Sequence, residues 1–269
     1  MSADPDYAPA ADLASRRQDA YYWRLVTAGI CFCLFGLGAL VVGAVLLPLV
    51  KIIPAQQERK RKRARAFIRS GLRLFVGLMH RSGGLTYEFR GVERLGRPGQ
   101  LIVANHPSLI DVVFLLAFTP AAGCVVKQGL WRNPLTRAAV TLAEYIKNDP
   151  TAVMIEASAH ALGSGQTLIM FPEGTRTTPG RPPVFHRGAA NVALRAAAAV
   201  TPVYIRCEPT TLTKAEPWYR ITRRRPRFTL VVGRDLDLAP YRSKPLPLAS
   251  RAFNEYLHAH FQAELSRPA

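Results

Sequence analysis

Residues 25–50 read "LVTAGICFCLFGLGALVVGAVLLPLV" and contain no charged side chain. Because about 20 apolar residues suffice to cross the hydrocarbon core of a bilayer, this run predicts a membrane helix. A signal sequence explains the run poorly, since it starts late and no small-residue cleavage pattern follows it. A buried core helix is the remaining alternative, although apolar runs of this length are rare in soluble domains. We therefore expect a transmembrane or membrane-dipping helix over residues 23–53, preceded by a loosely ordered tail over residues 1–22.

The segment behind this run is strongly basic and reads "ERKRKRARAFIRSGLRLFVGLMHR" over residues 58–81. At about 100° per residue, its basic and apolar side chains gather on opposite faces of a helix. This spacing predicts a basic amphipathic interfacial helix over residues 54–82, lying on anionic headgroups. An ordinary domain helix with a solvated basic face is the alternative. The predicted basic face carries Lys62, Arg65, Arg69, Arg73 and His80, and the apolar face Ala64, Phe67, Ile68, Leu72, Phe75, Leu78 and Met79.

The strong excess of basic side chains indicates which kinds of molecule the chain binds. The chain has 36 basic and 18 acidic side chains, a formal net charge of +18, which favours nucleic acid or an anionic membrane. No aromatic residues are interleaved with the densest basic run to stack on bases, so anionic membrane lipids are predicted and nucleic acid is not. The same basic excess predicts that the chain after residue 51 faces the cytoplasm, at the inner membrane. A helix that only dips into the bilayer would leave the same charges.

Short β-rich runs alternate with helical ones from about residue 83 onward. Such alternation predicts a single α/β domain over residues 83–269, with a mostly parallel sheet flanked by helices. The four cysteines include no Cys-x-x-Cys pair, so neither a zinc site nor a disulfide framework is indicated. Strands are predicted at residues 100–105, 123–127, 167–171, 200–207 and 227–233. Helices are predicted at residues 109–118, 130–146, 151–163, 188–199 and 251–265.

The stretch "ANHPSLIDVVF", residues 104–114, follows the first of these strands. Ser108 and Asp111 match a capping box, which would explain Asp111 without any chemistry. His106 would then lie in the loop after a strand, where open α/β sheets bind ligands. Since helical side chains lean toward the N-terminus, Asp111 can reach the imidazole. A carboxylate there would fix the tautomer and leave the other nitrogen free as a general base.

A second stretch, "FPEGTRT" at residues 171–177, follows another predicted strand. It presents Glu173 and Arg176 at the edge of the sheet, and Gly174 allows a sharp turn. The planar guanidinium of arginine matches phosphate oxygens, and backbone amides of such a turn add donors. A surface turn with a self-satisfied Glu–Arg pair is the alternative.

Taken together, the Asn-His-x-x-x-x-Asp block and the later Phe-Pro-Glu-Gly-Thr-Arg block resemble the 1-acyl-glycerol-3-phosphate acyltransferase family, over about residues 83–210. The resemblance implies a membrane-bound enzyme of phospholipid biosynthesis. It would move a fatty acyl group from acyl-CoA or acyl carrier protein to the hydroxyl of a lysophospholipid, most simply 1-acyl-glycerol-3-phosphate. The acyl thioester is then a co-substrate, and neither a metal nor another cofactor is expected.

The same resemblance implies a role for each residue of the two blocks. His106 would be the base and Asp111 its orienting partner. No Gly-x-Ser-x-Gly elbow occurs, which agrees with direct attack by the acceptor hydroxyl rather than through an acyl-enzyme. The acceptor's phosphate would be held by Glu173, Gly174, Thr175 and Arg176.

The chain departs from the family's second block, which ends in an arginine that assists phosphate binding. Here the region reads "LAEYIKND", with Lys147 or Asn148 in that place, and we assign Lys147 to the substrate site. Lysine supplies the charge but not the bidentate geometry, so another lyso-lipid acceptor, such as an acylated amino acid, stays open. Lys127, Arg187 and Gly188 also match family positions, where a surface role is equally compatible. A non-catalytic lipid-binding adaptor is the more distant alternative.

Overall fold

The computed structural model describes residues 21–41, 56–148, 151–178, 180–181, 183–214, 216–217 and 219–267. The predicted tail lies outside these residues except for Tyr21 and Tyr22, which begin the first helix. Residues 42–53 of the predicted membrane segment also lie outside them.

A seven-stranded sheet forms the centre of the described part of the chain, in the order β1-β7-β6-β2-β5-β3-β4. Every neighbouring pair of strands is parallel except β6 with β7. The prediction of an α/β fold with a mostly parallel sheet is therefore confirmed. The strands are β1 Thr86–Arg90, β2 Gln100–Ala104, β3 Gly123–Val126, β4 Ile146–Lys147, β5 Leu168–Met170, β6 Ala199–Glu208 and β7 Arg227–Val232.

Helices cover both faces of this sheet. Strand β2 separates the two cores: Leu101 and Val103 face one of them, and Ile102 and Ala104 face the other, because side chains alternate along a strand. Helices α2 and α3 close the Ile102 side, and α6, α7 and α9 close the Leu101 side. The described helices are α1 Tyr21–Val41, α2 Gln57–Arg81, α3 Asp111–Phe118, α4 Gly129–Arg132, α5 Pro134–Leu142, α6 Thr151–Gly163, α7 Gly188–Ala196, α8 Ala239–Arg242 and α9 Leu246–Ser266.

The single helix predicted over residues 130–146 is divided in the structure. Asn133 ends the short α4, and its side chain then accepts a hydrogen bond from the backbone N–H of Leu135 at the start of α5. Pro134 occupies the first turn of α5, where its missing N–H leaves no donor unsatisfied. The end of the predicted helix instead forms the short strand β4 at the sheet edge.

Helix α1 has two unlike sides. By its length and composition it could cross a membrane, and 22% of its most apolar window is buried in the described part of the chain, less than a core helix would show. Phe35 lies 5.1 Å from Phe75 of α2 between ring centroids, and Trp23 Nε1 donates to the carbonyl of Ser82 just beyond α2. The buried side carries Arg24, Thr27, Ala28 and Cys31. Phe35 continues this side at its edge and is 36% exposed. The exposed side carries Tyr22, Trp23, Val26, Ile30, Leu34, Leu37, Leu40 and Val41.

Helix α2 forms where the basic amphipathic pattern predicts it, but the predicted basic face is not uniformly free. Arg65 is 5% exposed, and its Nε donates to the carbonyl of Ala143 at 2.8 Å, while Nη1 donates to that of Ala121 at 3.1 Å. Burial lowers the pKa of Arg65 to about 10. Arg69 donates to the carbonyl of Ala117 at the end of α3. The periodicity of the sequence predicted the helix. It could not predict that Arg65 and Arg69 bind backbone carbonyls of neighbouring segments instead of facing solvent.

Candidate active site

The carboxyl ends of four parallel strands meet at one edge of the sheet. Strands β2, β5, β3 and β4 are consecutive neighbours, and all run in the same direction. The residues that follow them are therefore brought together although they are far apart in sequence. His106 follows β2, Phe171 begins the segment after β5, Lys127 follows β3 and Asn148 follows β4.

Asn105 fixes the point at which His106 leaves the sheet. Its side chain is 4% exposed and makes two hydrogen bonds of 2.8 Å with Ile205, donating to the carbonyl and accepting from the backbone N–H. These bonds extend the pairing of β2 with β6 past Ala104, where the backbone register ends. The residue directly before His106 is therefore fixed to strand β6.

His106 and Asp111 are in direct contact. Nδ1 of His106 lies 2.9 Å from Oδ2 of Asp111, and the same oxygen accepts the backbone N–H of Ser108 at 2.6 Å. The Ser108 hydroxyl has no hydrogen-bond partner among the described residues, and helix α3 begins at Asp111 with Ile110 at its N-cap. One carboxylate oxygen therefore forms half of the predicted capping box and also orients the histidine.

The environment of this pair defines its chemistry. When Nδ1–H donates to Asp111, Nε2 is the nitrogen with a free lone pair. Asp111 is fully buried, and burial raises the pKa of its carboxyl, while the bonds from His106 and Ser108 oppose that rise. The imidazole stacks on Phe171, with centroids 4.2 Å apart and planes inclined by 23°. Phe171 was not predicted as a site residue, although it opens the second block.

The turn at residues 173–177 holds the backbone of His106. Oε1 of Glu173 accepts the His106 N–H and the Thr177 hydroxyl, both at 2.9 Å, and Thr177 N–H donates to the His106 carbonyl at 2.7 Å. Gly174 supplies the positive φ of 62° that this turn needs. Burial raises the pKa of Glu173. The carboxylate of Glu173 thus supports the histidine, which differs from the phosphate contact implied by the resemblance.

Arg176 does not pair with Glu173, so the alternative of a self-satisfied surface turn fails. Its Nη1 donates to the carbonyls of Leu212 and Thr213, both at 2.8 Å. The Leu212 carbonyl also accepts the backbone N–H of Leu109, just before α3. Arg176 therefore binds the segment between β6 and β7, which itself contacts the residues just before α3.

A cavity of about 760 Å³ opens beside His106. Lys147, predicted as a site residue, is not among its lining residues: the Lys147 Nζ lies 5.5 Å from the centroid of the Trp131 ring. The next residue, Asn148, lines the cavity instead. The apolar wall includes Leu109, Val112, Val125, Val126, Leu130, Met154 and Met170. The polar wall includes His106, Lys127, Asn148, Glu173, Gly174, Thr175, Arg176, His186, Arg187 and Gly188.

Asp111 does not line the cavity, and it contacts Nδ1 of His106, which does. Lys127, Arg187 and Gly188, which were noted in the sequence, also line the cavity. His186 was missed, and the only signal for it was its place directly before Arg187–Gly188. The described residues contain no group of three or more His, Cys, Asp or Glu side chains that could hold a metal ion.

The fold and the two joined blocks define an acyltransferase, and comparison with known proteins supports that class. Residues 86–206 match the family described as Acyltransferase. The 1-acyl-sn-glycerol-3-phosphate acyltransferase of Pseudomonas aeruginosa is 26% identical over 178 residues, covering 64% of this chain and 67% of the relative. That of Limnanthes alba is 32% identical over 130 residues, covering 45% and 46%.

A solved structure agrees with these matches in fold. The crystal structure of the 1-acyl-sn-glycerophosphate acyltransferase PlsC from Thermotoga maritima has a TM-score of 0.69 and covers 94% of this chain and 99% of its own, at 17% identity. At that identity the likeness shows the fold alone. The chain thus contains a segment that matches the Acyltransferase family, and it is similar to proteins named 1-acyl-sn-glycerol-3-phosphate acyltransferases.

Proposed function

We propose that the chain transfers a fatty acyl group from an acyl thioester to the hydroxyl of a lysophospholipid, with 1-acyl-glycerol-3-phosphate as acceptor and phosphatidic acid as product. The observation that carries this proposal is the contact of 2.9 Å between His106 and the buried Asp111, beside a cavity with a cationic wall. The carboxylate reserves Nδ1 and leaves Nε2 available as a base. The acyl donor is acyl-CoA or acyl carrier protein.

The proposed reaction has two steps and no acyl-enzyme. Nε2 of His106 takes the proton of the acceptor hydroxyl as its oxygen attacks the thioester carbonyl, which gives a tetrahedral intermediate. Asp111 stabilises the imidazolium that forms. The intermediate then collapses with cleavage of the C–S bond, and the imidazolium returns its proton to the leaving thiolate. The ester, a free thiol and neutral His106 result.

The wall of the cavity suits a phosphate-bearing acceptor. Lys127, Arg176 and Arg187 supply positive charge, and the Nζ of Lys127 lies 3.4 Å from the hydroxyl of Thr175. Gly174 forms the turn beside these cations, and its N–H donates to the Phe171 carbonyl at 3.0 Å. We assign Gly174, Thr175 and Arg176 to the acceptor side of the cavity, whereas Glu173 contributes by holding His106.

Helix α1 supports attachment to a membrane with its exposed apolar side in lipid. It packs against α2 and α5, so a crossing α1 would carry α2 and the edge of the domain into the bilayer. Charged side chains at the exposed start of α2, such as Arg59 and Arg63, oppose that arrangement. We therefore propose that α1 lies in one leaflet, with the basic start of α2 at anionic headgroups on the cytoplasmic face of the inner membrane.

A second acceptor class is favoured by one observation. The cavity is lined by Asn148, and neither Asn148 nor Lys147 is the arginine that the family carries in this block, so the same chemistry on another lyso-lipid, such as an acylated amino acid, is the second candidate. Purified protein in anionic vesicles should be given labelled acyl-CoA or acyl carrier protein and a panel of lyso-lipids, with products resolved by mass spectrometry. Labelled phosphatidic acid supports the main proposal. Product on another acceptor alone supports the second candidate, and no product with either donor refutes both.

A further inference from the structure

The segment between β6 and β7 carries a dense group of arginines. It reads "YRITRRRPR" over residues 219–227, and no acidic side chain occurs between Glu216 and Asp235. None of these arginines lines the cavity beside His106. All five are exposed: Arg220, Arg223, Arg224, Arg225 and Arg227.

Two of the five arginines attach the segment to the rest of the protein. Arg225 Nη2 donates to the carbonyls of His80 at 2.8 Å and Leu85 at 2.6 Å. Arg227 pairs with Glu88 of β1 at 3.0 Å. The segment is therefore fixed beside the end of α2.

The segment also packs against the start of α1. Arg24 is 4% exposed, and its Nη2 donates to the backbone carbonyl of Arg223. Ile221 and Pro226 line a small cavity together with Ala28 of α1. The backbone of the arginine-rich segment is thus bound directly to the helix that we assign to the membrane.

The three remaining arginines, Arg220, Arg223 and Arg224, form what we call the β6–β7 arginine cluster. None of them takes part in the ion pairs among the described residues, whereas a guanidinium group matches phosphate oxygens well. Tyr22 and Trp23, directly before Arg24, are 77% and 61% exposed, and such residues are frequent at membrane interfaces. Anionic lipid suits this combination better than an acidic protein, which would leave the neighbouring apolar side of α1 uncovered.

The cluster lies at the opposite end of α2 from that helix's own basic residues. Helix α2 has 25 residues and is therefore about 37 Å long, with Arg59 and Arg63 exposed near its start. Helix α1 runs in the opposite direction, since Trp23 bonds just beyond the end of α2 and Phe35 contacts Phe75 further back. Cationic groups thus lie at both ends of the pair formed by α1 and α2.

We propose that the β6–β7 arginine cluster is a second binding site for anionic lipid headgroups, which together with the basic start of α2 keeps α1 parallel to the membrane surface. An α1 that crossed the bilayer would bring only one of the two cationic groups to a given leaflet. This inference rests on the membrane attachment within the proposed function, and it does not depend on which acceptor is acylated.

Vesicle sedimentation measures this contact. Replacing Arg220, Arg223 and Arg224 together by glutamine should weaken binding to vesicles that contain phosphatidylglycerol on the order of 100-fold, about five-fold for each charge removed. Binding to vesicles of phosphatidylcholine alone should equal that of the wild type. The variant should stay folded, because Arg24 bonds the carbonyl of Arg223 and not its side chain.

A matched control removes three charges elsewhere. Arg195 on α7, Arg234 after β7 and Lys244 after α8 are exposed, and their joint replacement by glutamine should leave vesicle binding at the wild-type level. Unchanged binding of the cluster variant to anionic vesicles would overturn the site. Equal losses in the two triple variants would also overturn it, because they would reflect net charge alone.

Two further measurements separate this site from the reaction. With short-chain, water-soluble acyl donor and acceptor, the cluster variant should keep the wild-type kcat, and a lower kcat would overturn the site by indicating a structural role. Acyl carrier protein, titrated without vesicles, should bind the wild type and the cluster variant equally. Lost affinity for the carrier protein with intact vesicle binding would overturn the lipid site and indicate an acidic protein as its occupant. Sedimentation decides the site even if no acyl transfer is observed, because it does not measure turnover.

Discussion

Replacing Asp111 by asparagine tests how the buried carboxylate acts on His106. In the wild type, Oδ2 accepts both the His106 Nδ1–H and the Ser108 N–H, while Oδ1 has no partner among the described residues. An amide nitrogen in the Oδ2 position would face the Ser108 N–H, donor against donor. The amide oxygen should therefore take that position, keep both bonds and preserve the tautomer that leaves Nε2 free.

The asparagine variant then loses the charge but keeps the orientation. A carboxylate and an imidazolium about 4 Å apart attract each other by about 4 kcal/mol at an effective dielectric constant of about 20. At about 1.36 kcal/mol per factor of ten, Asp111→Asn should lower kcat on the order of 10³-fold. Asp111→Ala also loses the orientation, and we expect it to lower kcat on the order of 10⁴-fold.

The folding stability of the same variant should depend on pH in a defined direction. Burial raises the pKa of Asp111 in the folded state, so the stability from this group is present below its unfolded pKa of about 3.9 and is lost as the pH rises through the folded value. Asparagine does not titrate. Relative to the wild type, the free energy of unfolding of Asp111→Asn should therefore increase from about pH 4 to about pH 8.

Steady-state assays in vesicles and urea unfolding at the two pH values measure both effects. Equal kcat for Asp111→Asn and Asp111→Ala would refute the anchoring of the amide by Ser108. An asparagine variant as active as the wild type would refute the electrostatic role of Asp111.

The remaining predictions concern three contacts. Glu173→Gln keeps an uncharged oxygen for the His106 N–H, so its kcat should exceed that of Glu173→Ala by about ten-fold, the upper value of one neutral hydrogen bond; equal rates would contradict the contact. Arg176→Ala frees the Leu212 carbonyl, so amide exchange in that segment should become faster and KM for the acceptor should rise; unchanged exchange would contradict the bond. Arg65→Met leaves buried carbonyls without donors and should lower the free energy of unfolding by about 3 kcal/mol in urea titrations.

The contact between His106 and Asp111 could be predicted from the sequence because the two residues are only five positions apart. A strand, a proline and a helix start within a few residues restrict where the two side chains can lie. The cavity wall could not be predicted in the same way. Lys147 ends the short edge strand β4 and Asn148 follows it, and one residue of register decides which of them enters the cavity.

Distant segments decide the rest of the site. Glu173 and Arg176 stand three residues apart in one block, yet their partners, His106 and Leu212, come from other parts of the sheet edge. Arg65 follows the helical period of α2 correctly, but the carbonyl groups that bury it belong to the segments after α3 and α5. Periodicity assigns a side chain to a face and does not show what covers that face.

The most direct test of the proposed mechanism is the single-turnover rate of acyl transfer in vesicles by His106→Ala, with His160→Ala as the matched control. Loss of a positioned general base should lower the rate by about 10²–10⁴-fold, with the variant still folded and the control at the wild-type rate. A His106→Ala protein that transfers the acyl group at a rate near that of the wild type would contradict the account, because proton removal by His106 would then not be part of the reaction.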